Sequence, residues 1–555
     1  MKQQLISILI LLACTLGAAA QPKWVKKARK AQINLITYDA NGQLLHSTNG
    51  FFIDADGTAL TDYRSFRGAS RAVAIDENGK EWPVVSNSGA STLYDVLKIK
   101  IAISKPYALT PASVDAMKDE HVFVMPYLSN KSGQATETAV TDVSTFNEQY
   151  AYYTLPVGMT DKSMSCPVMN AKGEVLGLVQ LAAAEKDKDK SCYVLSVRYA
   201  QALATSALSA TAADYRDILI RKTLPADASQ ANSFIYLTGA RDSALYLSYI
   251  EEYITRFPQE ANGYNLKAEL LTGQERYAEA EATWDAGLEA KAKEDEIRYS
   301  RAQAIFHMAQ TSQTLPDTWN LERAMQETEA ALAVQPLPVY ASLRAKLFYG
   351  QKRYAEACQE FLALNNTNLR SADNFLYAAQ CQQMLRDTIA VLALQDSAVA
   401  CFTPPYVEAA APALLMRATT LISMGSYRDA VRDLNDYEHL KANELTANFY
   451  YQREQAEMRC RMFQQALNDI ERATKMAPQE PLFQAELAAV NYRLGQVDEA
   501  ISAARAAIAL DDQFADAYRI LGVCLRAQKK ESEARAALQH AADLGDEISQ
   551  SLLNP

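Results

Sequence analysis

A short motif recurs through the second half of the chain at a fixed spacing. Residues 273–280 read GQERYAEA and residues 350–357 read GQKRYAEA. Looser copies end at Ala466, Ala500 and Ala534, which follow one another at intervals of 34 residues. A constant period of this length is typical of stacked supersecondary units, none of which can bury its apolar face alone. The pattern therefore predicts that the second half is an array of helix pairs.

This repeat resembles the tetratricopeptide repeat, a helix–turn–helix unit of 34 residues. Small residues such as Ala488 and Gly522 stand twelve positions before the repeat's own alanine, where the first helix must approach its neighbour closely. The resemblance implies an all-α tetratricopeptide solenoid over residues 256–555, with seven or eight units within it. Residues 206–255 are predicted to be a helical connector or a partial repeat.

A tetratricopeptide superhelix has a concave groove, and the resemblance implies that this groove binds peptides or helices of other proteins. Five positions on the first helices are expected to face the groove: Asn265, Ser342, Leu415, Tyr451 and Arg519. These residues lack the Lys and Asn pairing by which some family members hold a terminal carboxylate. The groove is thus predicted to bind protein, while the chemistry of its ligand stays open.

The first half has a different pattern. From about residue 31 to residue 197, short alternating or apolar runs are separated by the tetrapeptides DANG, DADG, DENG and NAKG. These separators place glycine where a tight hairpin needs a positive φ. Repeated short strands joined in this way indicate an antiparallel sandwich or barrel.

Three segments of this half resemble trypsin-like serine proteases of the high-temperature-requirement type. They are NGFFIDADGTALTDYRSFRGA at 49–69, LYDVLKIKI at 93–101 and SMSCPVMNAKGEVLGLV at 163–179. The resemblance implies a trypsin-like, all-β double barrel over residues 21–205.

The residues at the family's catalytic positions differ from those that the chemistry requires. Arg64 stands at the histidine, either Leu93 or Asp95 at the aspartate, and Met164 at the serine nucleophile. Lys162 replaces the glycine that shapes the oxyanion loop. A guanidinium stays protonated at any workable pH and cannot act as a base. We therefore predict no catalytic residues and no enzymatic activity.

Two serines beside Met164 leave an alternative open. Ser163 and Ser165 could serve an envelope endopeptidase with an unconventional active site, although the two histidines of this half, His46 and His121, lie outside the family motifs. The non-catalytic barrel itself has two interpretations. It either holds an extended peptide at a sheet edge or serves only as a cap for the helical array.

The N-terminus predicts export. Residues 1–20 combine a lysine, an apolar stretch and a small-residue end, which is the layout of a secretory signal peptide cleaved before Gln21. Lipidation at Cys14 is the alternative, and it would suit a lipid-anchored, nutrient-binding protein. The rest of the 555-residue chain contains no apolar run long enough to span a membrane.

The cysteines and the net charge indicate which covalent links and which classes of ligand the chain can have. Cys166 and Cys192 lie in the β-rich half and could pair in an oxidising compartment. No metal-ligand spacing is present, so neither a metal nor another cofactor is predicted. The net charge of −11 argues against a general nucleic-acid binder. The sequence thus predicts an exported, non-catalytic scaffold for envelope proteins or peptides, whose oligomeric state is open.

Overall fold

The computed structural model describes residues 21–127, 134–158, 163–180, 190–239, 243–312 and 314–553. The predicted signal peptide with Cys14, and Lys162 in the predicted oxyanion loop, lie outside the described residues. The chain divides into two compact units, Met1–Lys293 and Glu294–Pro555. The first unit holds all the described strands and the second is helical.

Six strands form a closed antiparallel barrel at the start of the first unit. In chain order they are β1 Gln32–Tyr38, β2 Leu44–Phe52, β3 Thr58–Thr61, β4 Arg71–Ile75, β5 Glu81–Ser91 and β6 Val96–Ile101. Their order around the barrel is β1-β2-β3-β6-β5-β4, and β4 pairs with β1 to close it. Alternate apolar side chains fill the interior, among them Leu35, Phe52 and Ile99, which are fully buried.

Seven further strands form the second sheet. They are β7 His121–Val124, β8 Thr136–Ala139, β9 Asp142–Phe146, β10 Tyr150–Leu155, β11 Pro167–Asn170, β12 Val175–Gln180 and β13 Cys192–Ser196. Their order is β8-β7-β11-β12-β13-β10-β9. Since the two edge strands β8 and β9 follow each other directly in the chain, the sheet must curve round until its ends meet. The predicted double barrel is therefore confirmed.

Turn glycines stand where the sequence pattern placed them. Gly57 and Gly173 have φ values of 92° and 84°, a region that side chains with a Cβ rarely adopt. A Cβ at Gly57 would also lie 2.4 Å from the carbonyl oxygen of Ile101, and one at Gly173 would lie 2.7 Å from Cγ of Trp24. Only glycine therefore allows the β2–β3 and β11–β12 hairpins to pack as they do.

Helices of the first unit flank and follow the strands. A short helix α1 Val25–Ala28 precedes β1, and α2 Val197–Ala202 and α3 Ala213–Arg216 follow β13. Val25 and Ala28 are buried in the core between the two barrels, with Phe51 and Leu195. The unit ends with α4 Ala228–Thr238, α5 Ser243–Arg256, α6 Ala261–Gly273 and α7 Tyr277–Glu289.

The second unit is a run of antiparallel helix pairs. They are α8 Glu294–Thr311 with α9 Leu321–Val334, α10 Pro338–Gly350 with α11 Tyr354–Leu364, α12 Ala372–Met384 with α13 Thr388–Val399, α14 Ala411–Ser423 with α15 Tyr427–Lys441, α16 Ala447–Arg459 with α17 Phe463–Met476, α18 Pro481–Leu494 with α19 Val497–Leu510, and α20 Ala515–Ala527 with α21 Glu531–Asp543. A last helix, α22 Glu547–Leu553, follows. The predicted all-α array is confirmed.

The small residues of the motif explain how the pairs pack. Ala488 on α18 and Ala500 on α19 are completely buried, as are Ala466 and Ala534. A Cβ at Gly522 on α20 would lie 2.7 Å from Cγ of Leu538 on α21. Larger side chains at these positions would separate the two helices, so the 34-residue spacing of small residues follows from close helix contact.

Candidate functional site

Arg64 lies directly after β3, in the 3-10 turn Arg64–Phe66. Its Nε donates to Oδ2 of Asp95 at 2.6 Å, and its backbone N–H donates to Oδ1 of the same carboxylate at 2.9 Å. Both oxygens of Asp95 are thus engaged by one residue. The side chain of Arg64 is about half exposed, whereas that of Asp95 is largely covered.

Leu93 and Asp95, the two alternatives for the predicted aspartate position, differ in their surroundings. Leu93 is 81% exposed and points to solvent, while Asp95 faces the segment that carries Arg64. Asp95 has a φ of 44° in the tight turn before β6, which aims its carboxylate at the β3 end. Burial raises the pKa of the Asp95 carboxyl above its ordinary value, and the charge of Asp62 adds to this, while the bonds from Arg64 oppose it.

The loop that carries Met164 approaches the same place from the second barrel. Ser165 donates its hydroxyl to Oδ1 of Asp62 at 2.8 Å, and the side-chain amide of Asn49 donates to the carbonyl oxygen of Met164 at 3.2 Å. Asp62 lies two residues before Arg64 and is buried. The structure therefore holds the Met164 loop against Asp62, two residues before Arg64.

The buried network around Asp62 was not predicted from the sequence. Its carboxylate accepts from the hydroxyls of Thr48 and Ser165 and from the backbone N–H of Ser65. These bonds satisfy a charge that would otherwise be costly to bury. In the sequence, Asp62 stands two residues before Arg64. No spacing rule connects it with residue 165, so the contact could not be predicted.

The two alternative serines both lie in buried positions. Ser165 is completely buried and its hydroxyl is committed to Asp62, at a φ of 57°. Ser163 is also buried. His121 is exposed and pairs with Glu137 at 3.1 Å, and His46 is exposed on β2. Among the described contacts of Ser165, none is to a histidine.

The suggested disulfide does not form. Strand β12 lies between β11 and β13 in the sheet, and Cys166 and Cys192 precede or begin these two outer strands. Two strand spacings separate them by about 9.6 Å, which exceeds the reach of a disulfide. Burial raises the pKa of the Cys192 thiol to about 11 and that of Cys166 to about 12. Both side chains are buried.

The five predicted groove residues all lie on first helices and all are half-buried. Asn265 is on α6, Ser342 on α10, Leu415 on α14, Tyr451 on α16 and Arg519 on α20. Arg519 pairs with Asp516 at 2.5 Å, and the rings of Tyr451 and Phe483 lie 5.5 Å apart.

Two further features bear on possible ligands. Within the described ranges, no group of three or more His, Cys, Asp or Glu side chains is arranged to hold a metal ion. No helix among these residues combines the length and apolar character needed to cross a membrane.

The comparisons with known proteins found one family model and a number of solved structures. The tetratricopeptide repeat family model matches residues 455–513 and 492–547. Repeats of this family indicate protein–protein interaction in that region. No curated protein has a significantly similar sequence.

Solved structures similar to this chain include three proteases. One is a protease from M. tuberculosis in its active form, which is 18% identical in sequence with a TM-score of 0.28. The match covers 33% of this chain and 86% of that chain. The serine endoprotease from Yersinia pestis has 15% identity, with 32% and 62% covered and a TM-score of 0.28. The HtrA-type protease AlgW with a tripeptide has 14% identity, with 32% and 60% covered and the same TM-score of 0.28. The chain thus spans less than two thirds of the length of the last two.

Proposed function

We propose that this protein is an exported, non-catalytic scaffold that binds other proteins of the cell envelope. The ion pair between Arg64 and Asp95 is the observation that carries the proposal. In a serine protease the aspartate orients a histidine, which accepts the proton of the nucleophile. Here the guanidinium of Arg64 binds one oxygen of the carboxylate, the backbone N–H of Arg64 binds the other, and the guanidinium cannot accept a proton.

The nucleophile side of the site supports the same proposal. Met164 has a thioether that cannot attack a carbonyl carbon, and the hydroxyl of Ser165 is buried against Asp62. Removal of the base or the nucleophile alone lowers the rate of such enzymes by several orders of magnitude. The barrels retain the protease architecture while their chemistry is lost.

Binding is then the function of the helical array. Seven consecutive helix pairs between Glu294 and Asp543 present their first helices as one series, and such a series provides an extended surface for a partner. The layout of residues 1–20, which is that of a secretory signal peptide, supports export as part of this proposal. The β region either adds a peptide-binding edge or acts as a spacer.

The binding part of the proposal is tested by site-specific photocrosslinking in the native envelope. A benzophenone amino acid replaces Ser342, a groove candidate, or Glu329, an exposed residue on the second helix α9. We expect crosslinked proteins from position 342 and few from position 329. Equal crosslinking from both positions would contradict a specific groove.

The non-catalytic part is tested with the purified mature chain. We expect no labelling by a fluorophosphonate probe and no cleavage of casein. Labelling or cleavage that disappears in Ser165→Ala or Ser163→Ala would instead establish the endopeptidase alternative.

A further inference from the structure

Four exposed lysines lie on one side of the helical segment that precedes β1. They are Lys23, Lys26, Lys27 and Lys30. The segment is helical from its first turn, since the backbone N–H of Val25 donates to the carbonyl oxygen of Pro22, and it continues through α1 into the 3-10 turn Arg29–Ala31. The lysines follow one another at positions i, i+3, i+4 and i+7, a spacing that places their side chains on a single helix face.

The opposite side of this segment attaches it to the barrels. Val25, Ala28 and Ala31 are buried in the core between the two barrels. The ring of Trp24 packs edge-on against that of Phe123, with 5.5 Å between the ring centroids. Apolar contacts therefore hold the helix in place, and the charges of the lysines are not needed for its packing.

A fifth lysine joins this face from the β11–β12 hairpin. The indole N–H of Trp24 donates to the carbonyl oxygen of Ala171 at 3.1 Å, and Gly173 lies against the same indole ring. Lys172 stands between these two contacts and is exposed. It therefore lies close to Lys23, the neighbour of Trp24 in the chain. These five lysines, four from the helical segment and one from the hairpin, form the basic face.

Little negative charge balances the basic face. Among the described residues, Lys30 is its only member with an ion pair, to Glu77 at 4.0 Å. Glu174 of the hairpin accepts from the side-chain amide of Asn170 at 2.8 Å. Arg29 adds positive charge, and two of its nitrogens are buried without a hydrogen bond. Because lysines three and four positions apart on a helix repel one another, an anionic ligand would stabilise this arrangement.

Aromatic side chains border the basic face. The ammonium of Lys27 lies 5.4 Å from the ring centroid of Tyr107, which is 36% exposed, and the indole of Trp24 is half-buried. Tryptophan and tyrosine beside lysines favour the boundary between water and lipid headgroups. A soluble anion would need the lysines alone, so this combination favours a lipid surface.

We propose that the basic face, together with Tyr107, docks the protein on a membrane surface that contains anionic phospholipids. The ammonium groups pair with the headgroup phosphates, and the helical segment lies along the surface. The chain as a whole has a net charge of −11, so the same membrane repels its other surfaces and binding is confined to this face. The inference goes beyond the scaffold function, because it concerns where the scaffold is held and not what its groove binds.

The test is sedimentation of the purified mature chain with vesicles of two compositions, phosphatidylcholine alone and phosphatidylcholine mixed equally with phosphatidylglycerol. We expect binding to the mixed vesicles, weaker at physiological than at low salt, and none to phosphatidylcholine alone. Each lysine beside an anionic surface strengthens binding about fivefold. Lys23→Gln combined with Lys26→Gln should therefore weaken binding about 20-fold, and since both side chains are exposed the fold is retained.

Lys529→Gln combined with Lys530→Gln is the matched control, because both lysines are exposed between α20 and α21 and their loss changes the net charge equally. Equal weakening by the two double variants would overturn the proposal in favour of general charge attraction. Absence of binding to the mixed vesicles would overturn it as well. Release of the bound chain by millimolar inorganic phosphate at constant ionic strength would instead assign the face to a soluble anion. Crosslinking from position 342 does not involve this face, so the scaffold proposal can survive any of these results.

Discussion

Arg64 and Asp95 are joined by two hydrogen bonds: the guanidinium Nε donates to one oxygen of the carboxylate at 2.6 Å, and the backbone N–H donates to the other at 2.9 Å. One residue therefore engages both oxygens of this carboxylate. The ion pair also joins the β3 end to the turn before β6, so it contributes to the geometry of the first barrel.

Replacement of Arg64 by alanine should destabilise the first barrel. The largely covered carboxylate of Asp95 would lose its cation, and we expect the free energy of unfolding to fall by about 1 kcal/mol. Arg67→Ala is the control, because Arg67 pairs with Asp217 at 3.3 Å and both side chains are exposed. Urea unfolding followed by circular dichroism measures both variants. An equal effect of the two would mean that the Arg64 pair adds no stability.

Ser165 offers a test that separates a hydrogen bond from backbone strain. Ser165→Ala removes the buried bond to Asp62 and keeps a Cβ at a φ of 57°. Ser165→Gly removes the same bond and relieves the strain. We expect a loss of about 1–2 kcal/mol for alanine and a smaller loss for glycine. If glycine is as destabilising as alanine, the positive φ stores no strain.

Close helix packing at Gly522 predicts an unusual response to alanine. Alanine normally favours a helix over glycine by about 1 kcal/mol. At Gly522, however, the new Cβ would lie 2.7 Å from Cγ of Leu538 and 3.1 Å from the carbonyl oxygen of Ala534. We expect a net loss of about 1 kcal/mol in the thermal or urea unfolding of the helical unit.

Gly273 provides the comparison, since it ends helix α6 and a Cβ there meets no atom within 4 Å. Gly273→Ala should therefore be neutral or stabilising. A stabilising Gly522→Ala would show that α20 and α21 can separate without cost.

Two buried acids on α16 predict a pH dependence of stability. Burial raises the pKa of both Glu454 and Glu457 to about 8, from an ordinary value of 4.5. Between pH 4.5 and pH 8 the folded state thus binds more protons than the unfolded chain. The contribution of Glu454 and Glu457 to the free energy of unfolding is therefore fully present below pH 4.5 and is lost as the pH rises through 8. Glu454→Gln should reduce the fall in the free energy of unfolding between pH 5 and pH 9.

Urea unfolding at pH 5, 7 and 9 measures this fall for the wild-type chain, Glu454→Gln and the exposed control Glu471→Gln. The control should follow the wild type at every pH. If the free energy of unfolding of Glu454→Gln falls with pH as steeply as that of the wild-type chain, Glu454 titrates at its ordinary pKa in the folded protein.

Local patterns were sufficient for the architecture. The glycines after DAD and NAK predicted hairpins because a positive φ is a property of the turn itself, and Gly57 and Gly173 adopt it. The 34-residue spacing of small residues predicted the helix pairs because each close contact joins positions near in sequence. Residues that depend on one turn or one helix pair could therefore be placed without the structure.

The site required contacts between distant segments, and there the sequence was incomplete. It left Leu93 and Asp95 as equal candidates, since both lie on the same side of an extended strand, whereas the turn before β6 breaks that alternation and selects Asp95. It allowed a Cys166–Cys192 disulfide, because strand order is invisible in a pattern that does not show β12 between them.

The sequence by itself determined which side chains stand at positions 64 and 164, and neither an arginine nor a methionine can serve as the base or the nucleophile of a serine protease. Only the tertiary structure decided which groups meet, as Ser165 meets Asp62 across the two barrels. The physical reason is that side-chain identity sets what a group can do, while burial and charge pairing depend on neighbours that the chain brings together only when it folds.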